Sequence, residues 1–180
     1  ALAGDMKREA HLPLLLHPDP ERVAFIGLGT GITGAGALQH QAVKSVTAIE
    51  LSPLVADAAC RLFSQFNGGI CRDPRVEIHV EDARTYLLAA GAQFDVIVGD
   101  LFTPWRPGEA SLSSLEQFNA AKRALRSGGV FCQWFQMTQW TPEQFEMAVA
   151  TFHEAFGQVY LFRNHLRATS APLALVGFKQ

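Results

Sequence analysis

Five glycines follow the first strand-type run of the sequence, where residues 23–36 read VAFIGLGTGITGAG. Glycine has no Cβ, so a glycine-rich loop lets backbone N–H groups meet a ligand at van der Waals distance. Gly27, Gly29 and Gly31 have the GxGxG spacing of nucleoside-sulfonium binders, whereas Gly29, Gly31 and Gly34 have the GxGxxG spacing of dinucleotide binders. We favour the first, because its first glycine directly ends the strand. The alternative without a ligand is tight packing of a first helix on a sheet.

Acidic residues follow two further strand-type runs. Glu50 ends SVTAIE nineteen positions after Gly31, where a carboxylate can accept hydrogen bonds from both hydroxyls of a ribose. The alternative is a solvated glutamate at a strand end. Asp82 starts the helix-type part of HVEDARTYLL, where it either caps the helix or contacts an adenine together with the N–H of Ala83. These two roles of Asp82 are compatible.

A third acid, Asp100, ends the apolar run in FDVIVGDLFTPW. It is predicted to lie at the carboxyl edge of the sheet, beside the crevice in which open α/β sheets bind ligands. A carboxylate there can hold a sulfonium donor, orient an incoming amine and accept its proton. The alternative is a loop aspartate that caps the following turn. We expect Asp100 to be the catalytic residue.

These residues together predict a cofactor site and an acceptor site beside it. The acceptor hypothesis rests on Thr103 and Trp105 in the loop after Asp100, although packing is the commoner role of a tryptophan. The predicted cofactor-binding residues are Gly27, Leu28, Gly29, Thr30, Gly31, Glu50, Leu51, Asp82, Ala83 and Asp100.

The elements that must position these residues alternate between strand and helix type, which is typical of an α/β fold with a largely parallel sheet. The predicted strands are 23–27, 45–50, 75–80, 94–100, 129–135, 158–163 and 173–178, and the predicted helices are 31–40, 53–66, 82–90, 113–126 and 142–155. The last two strands are separated only by NHLRATSAP, too short for a parallel crossover, so they should form an antiparallel hairpin. We therefore expect a three-layer Rossmann-like domain over residues 23–180, preceded by a lead-in segment over 1–22. By analogy, this layout is similar to the class I S-adenosylmethionine-dependent methyltransferase fold.

The composition of the chain bears on whether nucleic acid, a metal or a membrane is an expected partner. With 18% charged residues and a net charge of −2, the chain lacks the basic excess that favours nucleic acid. Its three cysteines, Cys60, Cys71 and Cys132, form no CxxC pair or zinc spacing, so we expect reduced thiols and no metal. The apolar runs are too short to cross a bilayer. We expect a cytoplasmic protein, or the soluble part of a larger one.

Five segments, in order, resemble the spermidine synthase (polyamine aminopropyltransferase) superfamily, particularly its bacterial spermidine synthase-like domains. They are HLPLLLHPDPERVAFIGLGTGITGAG, SVTAIELSP, DPRVEIHVEDAR, FDVIVGDLFTPW and GGVFCQW. The resemblance implies a polyamine-biosynthetic enzyme that moves an aminopropyl group from decarboxylated S-adenosylmethionine to a small amine and releases methylthioadenosine. It places the three GxGxG glycines at the donor, Glu50 at the ribose, Asp82 and Ala83 at the adenine, and Asp100 at the amine as base.

Among the residues that depart from that family's pattern, two stand where the family has an acid. Thr30 stands where its glycine loop usually has an aspartate, and Thr103 stands where a second aspartate usually precedes the proline. Cationic diamines need carboxylate partners when buried, so these changes should weaken diamine binding. An S-adenosylmethionine-dependent methyltransferase and a non-catalytic adenosyl-ligand-binding domain therefore stay open as alternatives. The family's N-terminal β domain, which completes the polyamine pocket and the dimer, is not expected within residues 1–22, and a homodimer stays open.

Overall fold

The computed structural model describes residues 2–100, 102–106, 108–166 and 171–180. Its strands are Arg22–Ile26 (β1), Ser45–Glu50 (β2), Val76–Val80 (β3), Phe94–Gly99 (β4), Leu125–Phe135 (β5), Tyr160–Arg163 (β6) and Leu173–Phe178 (β7). Its α-helices are Leu2–Leu15 (α1), Ile32–Ala37 (α2), Pro53–Arg61 (α3), Ala83–Ala90 (α4), Leu115–Ala124 (α5) and Pro142–Phe156 (α6), and single 3₁₀ turns cover Ile70–Arg72, Glu109–Ser113 and Met137–Gln139.

The strands form one sheet in the order β3-β2-β1-β4-β5-β7-β6. Neighbours from β3 to β5 are parallel, and β7 runs antiparallel to both β5 and β6. The predicted α/β class and antiparallel final pair are confirmed, although residues 167–170 of the NHLRATSAP connection lie outside the described residues. The chain winds outward from β1 to β3 and returns to β4, so β1 and β4 flank the switch point where such sheets bind ligands.

Apolar packing on both faces of the sheet gives the three layers. All six residues of β4 are buried, as expected for a central parallel strand. On one face, Phe131 of β5 stacks on Phe152 and Phe156 of α6 with ring centroids 5.6 Å apart in both pairs. On the other face, Ala10 and Leu14 of α1 are buried against the sheet. Each large apolar side chain buried in this way contributes about 1.5–3 kcal/mol.

Helix α1 was not predicted, since residues 1–22 were expected to be a lead-in segment and proline usually interrupts a helix. Pro13 lies in the last turn of the helix and has no N–H to give to the carbonyl of Glu9. That carbonyl accepts instead from the indole Nε1 of buried Trp134 on β5, at 2.9 Å. Because Pro13 donates no hydrogen bond, the carbonyl of Glu9 can accept from Trp134, and this contact links α1 to β5.

Helix α3 ends at Arg61 rather than at the predicted residue 66, and the chain continues through turns over residues 62–69, which include Gly68 and Gly69. Both glycines have positive φ, 67° and 72°. The turn brings Cys60 and Cys71 together as a disulfide with their Cα atoms 5.5 Å apart. The prediction of reduced thiols is wrong for this pair, since a separation of 11 residues gives no sequence signal of its own. Cys132 is free, and its burial raises the pKa of its thiol well above the ordinary value.

A histidine pair joins α1 to the end of the α2 region. Nδ1 of His11 lies 2.7 Å from Nε2 of His40, and burial lowers the pKa of both rings. At pH values between these lowered pKa values and the unfolded value of about 6.5, the unfolded chain binds more protons than the folded chain does. Stability should therefore be complete above pH 6.5 and fall as the pH drops below it.

We expect the melting temperature to fall as the pH is lowered from about 6.5 to about 5, with roughly 2–4 °C for each kcal/mol lost. Thermal melts followed by circular dichroism check this. His40→Gln should flatten the dependence, whereas His153→Gln, at an exposed position on α6, should leave it unchanged. A wild-type melting temperature that holds constant down to pH 5 would contradict a charge-sensitive pair.

Within the described part of the chain, no helix is long and apolar enough to span a membrane.

Candidate functional site

The glycine loop after β1 has the backbone that its sequence predicts. Gly27, Gly29 and Gly31 have φ values of 93°, 53° and 77°, which side chains rarely tolerate. A Cβ added at Gly27 or Gly29 would meet nothing within 4 Å, so these two residues present open backbone. The N–H of Gly27 donates to the carbonyl of Ile49 at 2.8 Å, which fixes the loop beside the end of β2.

The later glycines have a packing role. A Cβ at Gly34 would lie 2.9 Å from Cδ1 of Ile70, and one at Gly36 would lie 2.8 Å from the carbonyl oxygen of Lys7 on α1. The ligand interpretation therefore fits Gly27 and Gly29, and the packing interpretation fits Gly34 and Gly36. The first glycines face open space, and the last allow helix α2 to approach its neighbours.

Glu50 binds the glycine loop directly. Its Oε2 accepts from the N–H groups of Leu28 at 3.0 Å and Gly29 at 3.3 Å, and its Oε1 accepts from Ser52 N–H at 2.9 Å. The residue is 9% exposed, so the alternative of a solvated strand-end glutamate is wrong. A carboxylate offers about four acceptor positions. Three hydrogen bonds therefore leave room for a hydroxyl, and the ribose role stays a prediction.

Asp82 is the N-cap of α4. Its Oδ1 accepts from the backbone N–H of Thr85 at 2.9 Å and from the Thr85 hydroxyl at 3.0 Å. The capping interpretation is confirmed, and the adenine role of Asp82 and Ala83 stays a prediction. The N–H of Glu81 donates to the carbonyl of Glu50 at 3.1 Å, so the ends of β2 and β3 lie side by side.

Asp100 lies at the switch point, directly after β4. Its N–H donates to the carbonyl of Ile26 at the end of β1, at 3.4 Å. Its own carbonyl accepts from Nε2 of Gln133 on β5, at 3.2 Å. The backbone of this residue is thus held from both neighbouring strands, and the residue is half-buried. This placement fits the predicted catalytic role, which stays a prediction.

Gln133 is a site residue that sequence reasoning missed. It is 1% exposed and lies opposite Gly99 in the sheet. A Cβ at Gly99 would clash with the Gln133 amide, so the glycine makes room for it. Its Oε1 is buried and has no hydrogen-bond partner among the described residues. The available signal was a polar residue inside the apolar strand FCQWF.

The loop after Asp100 folds back so that a second carboxylate, that of Glu109, lies beside Thr103. Oε2 of Glu109 accepts from the N–H of Thr103 at 2.6 Å, and Oε1 lies 3.6 Å from Nη1 of Arg106. Trp105, predicted to bind substrate, is 72% exposed. Leu101 and Pro107 lie outside the described residues. Sequence reasoning missed Glu109, since nothing in the sequence shows that the loop folds back onto Thr103.

The buried side-chain amide of Asn67 contacts the glycine loop. Nδ2 of Asn67 donates to the carbonyls of Thr30 and Ala59, both at 2.9 Å, and the residue is 1% exposed. Sequence reasoning missed this residue too, because NGG reads as an ordinary turn. Asn67 therefore connects the tip of the glycine loop to the segment that follows α3.

The parallel register gathers these groups at one edge. Ile26 pairs with both Ile49 and Gly99, so the glycine loop, Glu50 and Asp100 begin at the same level of the sheet. The open glycine backbone can approach a nucleoside, and the two carboxylates place negative charge at the same edge of the sheet. The arrangement suits a cationic adenosyl ligand.

Comparison with known proteins agrees with this geometry. The family model of the spermine/spermidine synthase domain matches residues 7–173. The polyamine aminopropyltransferase of Nitrosomonas europaea is 32% identical over 149 residues, covering 83% of this chain and 46% of the relative. That of Thermotoga petrophila is 35% identical over 122 residues, covering 68% of this chain and 41% of the relative.

Solved structures give the same relationship. A spermidine synthase in complex with the transition state analogue AdoDATO superposes with a TM-score of 0.87 at 26% identity, covering 97% of this chain and 60% of that one. The spermidine synthase from Thermotoga maritima gives 0.85 at 27% identity, covering 98% and 60%. This chain thus spans less than half the length of the curated relatives described above. With its sheet order, its glycine loop and the match over 7–173, the chain belongs to the spermine/spermidine synthase domain family.

Proposed function

We propose that this chain binds decarboxylated S-adenosylmethionine and transfers its aminopropyl group to a small amine, as a step of polyamine biosynthesis. The observation that carries the proposal is the glycine loop held by Glu50 beside Asp100 at the β1/β4 switch point. Relatives named polyamine aminopropyltransferase, and a spermidine synthase solved with a transition state analogue, support it. The proposal treats residues 23–180 as the nucleoside-binding unit.

In the proposed reaction, the lone pair of the amine nitrogen attacks the methylene carbon bonded to the sulfonium sulfur. The carbon–sulfur bond breaks, and its electron pair stays on sulfur, which leaves as the neutral thioether of methylthioadenosine. Asp100 holds the incoming amine in line and accepts its proton. Positive charge leaves sulfur as it develops on nitrogen, so a fixed carboxylate beside both atoms stabilises the transfer.

The donor would lie along the glycine loop. Gly27, Gly29 and Gly31 would pass under the ribose and the sulfur-bearing chain, with Leu28 and Thr30 between them. Glu50 would accept from a ribose hydroxyl at its remaining acceptor position, beside Leu51. Asp82 and the N–H of Ala83 would meet the adenine.

The acceptor would lie over the loop that follows Asp100. Thr103 has no charge with which to hold an ammonium, and Trp105 offers an exposed aromatic surface. Glu109 brings a carboxylate to within 2.6 Å of the Thr103 nitrogen, three residues from Asp100 in sequence. Three residues span at most about 11 Å of chain, so Thr103, whose N–H donates to the Glu109 carboxylate, lies near Asp100. We propose that Glu109 supplies negative charge that Thr103 does not.

Glu109→Gln should therefore raise the KM for the amine by about 10- to 100-fold, because a hydrogen bond to a charged group contributes about 1.5–3 kcal/mol. The kcat should change little, since Glu109 would bind the end of the amine that does not react. Steady-state kinetics with a diamine measures both constants. Glu116→Gln, at an exposed position on α5, is the matched control. An unchanged KM would remove Glu109 from the acceptor site.

Calorimetric titration with decarboxylated S-adenosylmethionine, S-adenosylmethionine and methylthioadenosine tests the function itself. Preferential binding of the decarboxylated donor and of methylthioadenosine, followed by amine-dependent release of methylthioadenosine in a mass-spectrometric assay, supports aminopropyl transfer. Preference for S-adenosylmethionine would favour methyl transfer. Binding without turnover of any amine would favour an adenosyl-ligand-binding domain, and absence of binding would overturn the cofactor assignment.

A further inference from the structure

The disulfide closes a segment that lies directly under the glycine loop. We call residues 60–71 the bridged segment; Cys60 belongs to α3, and Cys71 belongs to the 3₁₀ turn before β3. Asn67 and Ile70 within it are 1% and 0% exposed. Both cysteines are only half-buried, so the bond is within reach of a small reductant.

The bridged segment contacts the glycine loop at two residues. Nδ2 of Asn67 donates to the carbonyl of Thr30 at 2.9 Å. A Cβ at Gly31 would lie 3.0 Å from both Asn67 Nδ2 and Ile70 Cγ2, so the backbone of the loop rests on these two side chains. The position of the loop therefore depends on where the bridged segment holds Asn67 and Ile70.

Between Cys60 and Cys71, only Asn67 and Ile70 are buried, and the other residues of the bridged segment are half-buried or exposed. Gly68 and Gly69 both have positive φ, and the side chains of Leu62 and Phe66 are 70% and 56% exposed. Asn67 Oδ1 accepts from the N–H of Gly69 at 3.1 Å, a bond within the segment. Segments with exposed apolar side chains and few buried contacts open at low free energy. The covalent bond between Cys60 and Cys71 therefore restrains Asn67 together with the hydrogen bond from Asn67 Nδ2 to the carbonyl of Ala59, at 2.9 Å.

We infer that Cys60 and Cys71 form a redox modification site that controls how tightly the glycine loop binds its adenosyl ligand. This inference rests on the proposed function. A thiolate of a dithiol reductant attacks one sulfur to form a mixed disulfide, and its second thiolate displaces that sulfur. Two electrons and two protons pass to the protein, which holds two thiols, and the reductant leaves as a disulfide. The bridged segment then loosens, and the hydrogen bond from Asn67 to Thr30 is lost for part of the time.

The test compares the oxidised and reduced forms of the whole chain. Thiol labelling of the folded chain followed by mass spectrometry establishes the state of Cys60 and Cys71; buried Cys132 should not react. Calorimetry with methylthioadenosine measures affinity, and hydrogen exchange measures protection of amides over residues 28–36. We expect reduction to weaken binding by about 5- to 20-fold, within the usual range of coupling between sites. It should also speed exchange in the loop, and reoxidation should restore both values.

Two variants sharpen the result. Cys60→Ser with Cys71→Ser should match the reduced chain and ignore the reductant. Asn67→Ala should bind weakly in both redox states, because its link to Thr30 is absent. Equal affinity and equal exchange in the two states would overturn the inference, as would a disulfide that resists dithiothreitol while the chain stays folded. If methylthioadenosine binds neither form, the proposed function fails, and the exchange of residues 28–36 alone decides the redox inference.

Discussion

Replacing Asp100 by asparagine should lower the kcat of aminopropyl transfer by about 100- to 10,000-fold, the usual contribution of a positioned general base. The substitution keeps the size of the side chain and removes its charge. The backbone contacts of residue 100 with Ile26 and Gln133 do not use the carboxylate, so these two contacts should be preserved. The loss should lie in kcat more than in donor affinity, because the base acts on the amine.

The pH dependence of the reaction rate distinguishes the loss of a general base from a displacement of the loop that carries residue 100. Alkylammonium groups titrate near pH 10, as lysine does. Without a base, the variant should rely on amine that is already deprotonated, so its rate should rise about tenfold per pH unit below that value. Asp57→Asn is the matched control, since its side chain is 59% exposed on α3. If Asp100→Asn retains the wild-type rate and pH profile, another group removes the proton.

Much of this site could be predicted because parallel strands place their carboxyl ends at one edge. Periodicity located the strands, and the residue after each strand then had to lie at that edge. Glu50 and Asp100 were predicted in this way without knowledge of any contact between them. The positive φ values of Gly27 and Gly29 were predictable for a similar reason, since a sharp exit from a strand beside a ligand needs glycine.

Other features depend on contacts between distant parts of the chain, which periodicity does not show. Helix α1 was missed because Pro13 forbids one hydrogen bond, and only the fold reveals that Trp134 takes it over. The Cys60–Cys71 bond requires the turn at Asn67, and the role of Glu109 requires a loop that returns to Thr103. In each case the residue has a tertiary partner that the local sequence pattern does not reveal.

Glu50→Gln should lower the affinity for methylthioadenosine by about 10- to 100-fold, because hydrogen bonds to a carboxylate contribute about 1.5–3 kcal/mol. In the variant, the amide oxygen can accept from the N–H of either Leu28 or Ser52. The NH₂ group then faces the other N–H, and two donors cannot form a hydrogen bond. The free energy of unfolding should therefore also fall, by about 1–3 kcal/mol. Calorimetry and urea denaturation measure the two effects. Glu77→Gln is the control, since its side chain is 77% exposed on β3.

A lower affinity alone does not show that Glu50 touches the ribose, since a distorted glycine loop would weaken binding as well. The 2′-deoxy analogue of methylthioadenosine distinguishes these causes. If the carboxylate accepts from the ribose hydroxyl, removing the hydroxyl should weaken binding to the wild type and change binding to Glu50→Gln much less, as in a double-mutant cycle. Equal penalties in both proteins would mean that the two groups act independently. Glu50 would then serve the ligand only through its hydrogen bonds to Leu28 and Gly29, by holding the loop in its open-backbone conformation.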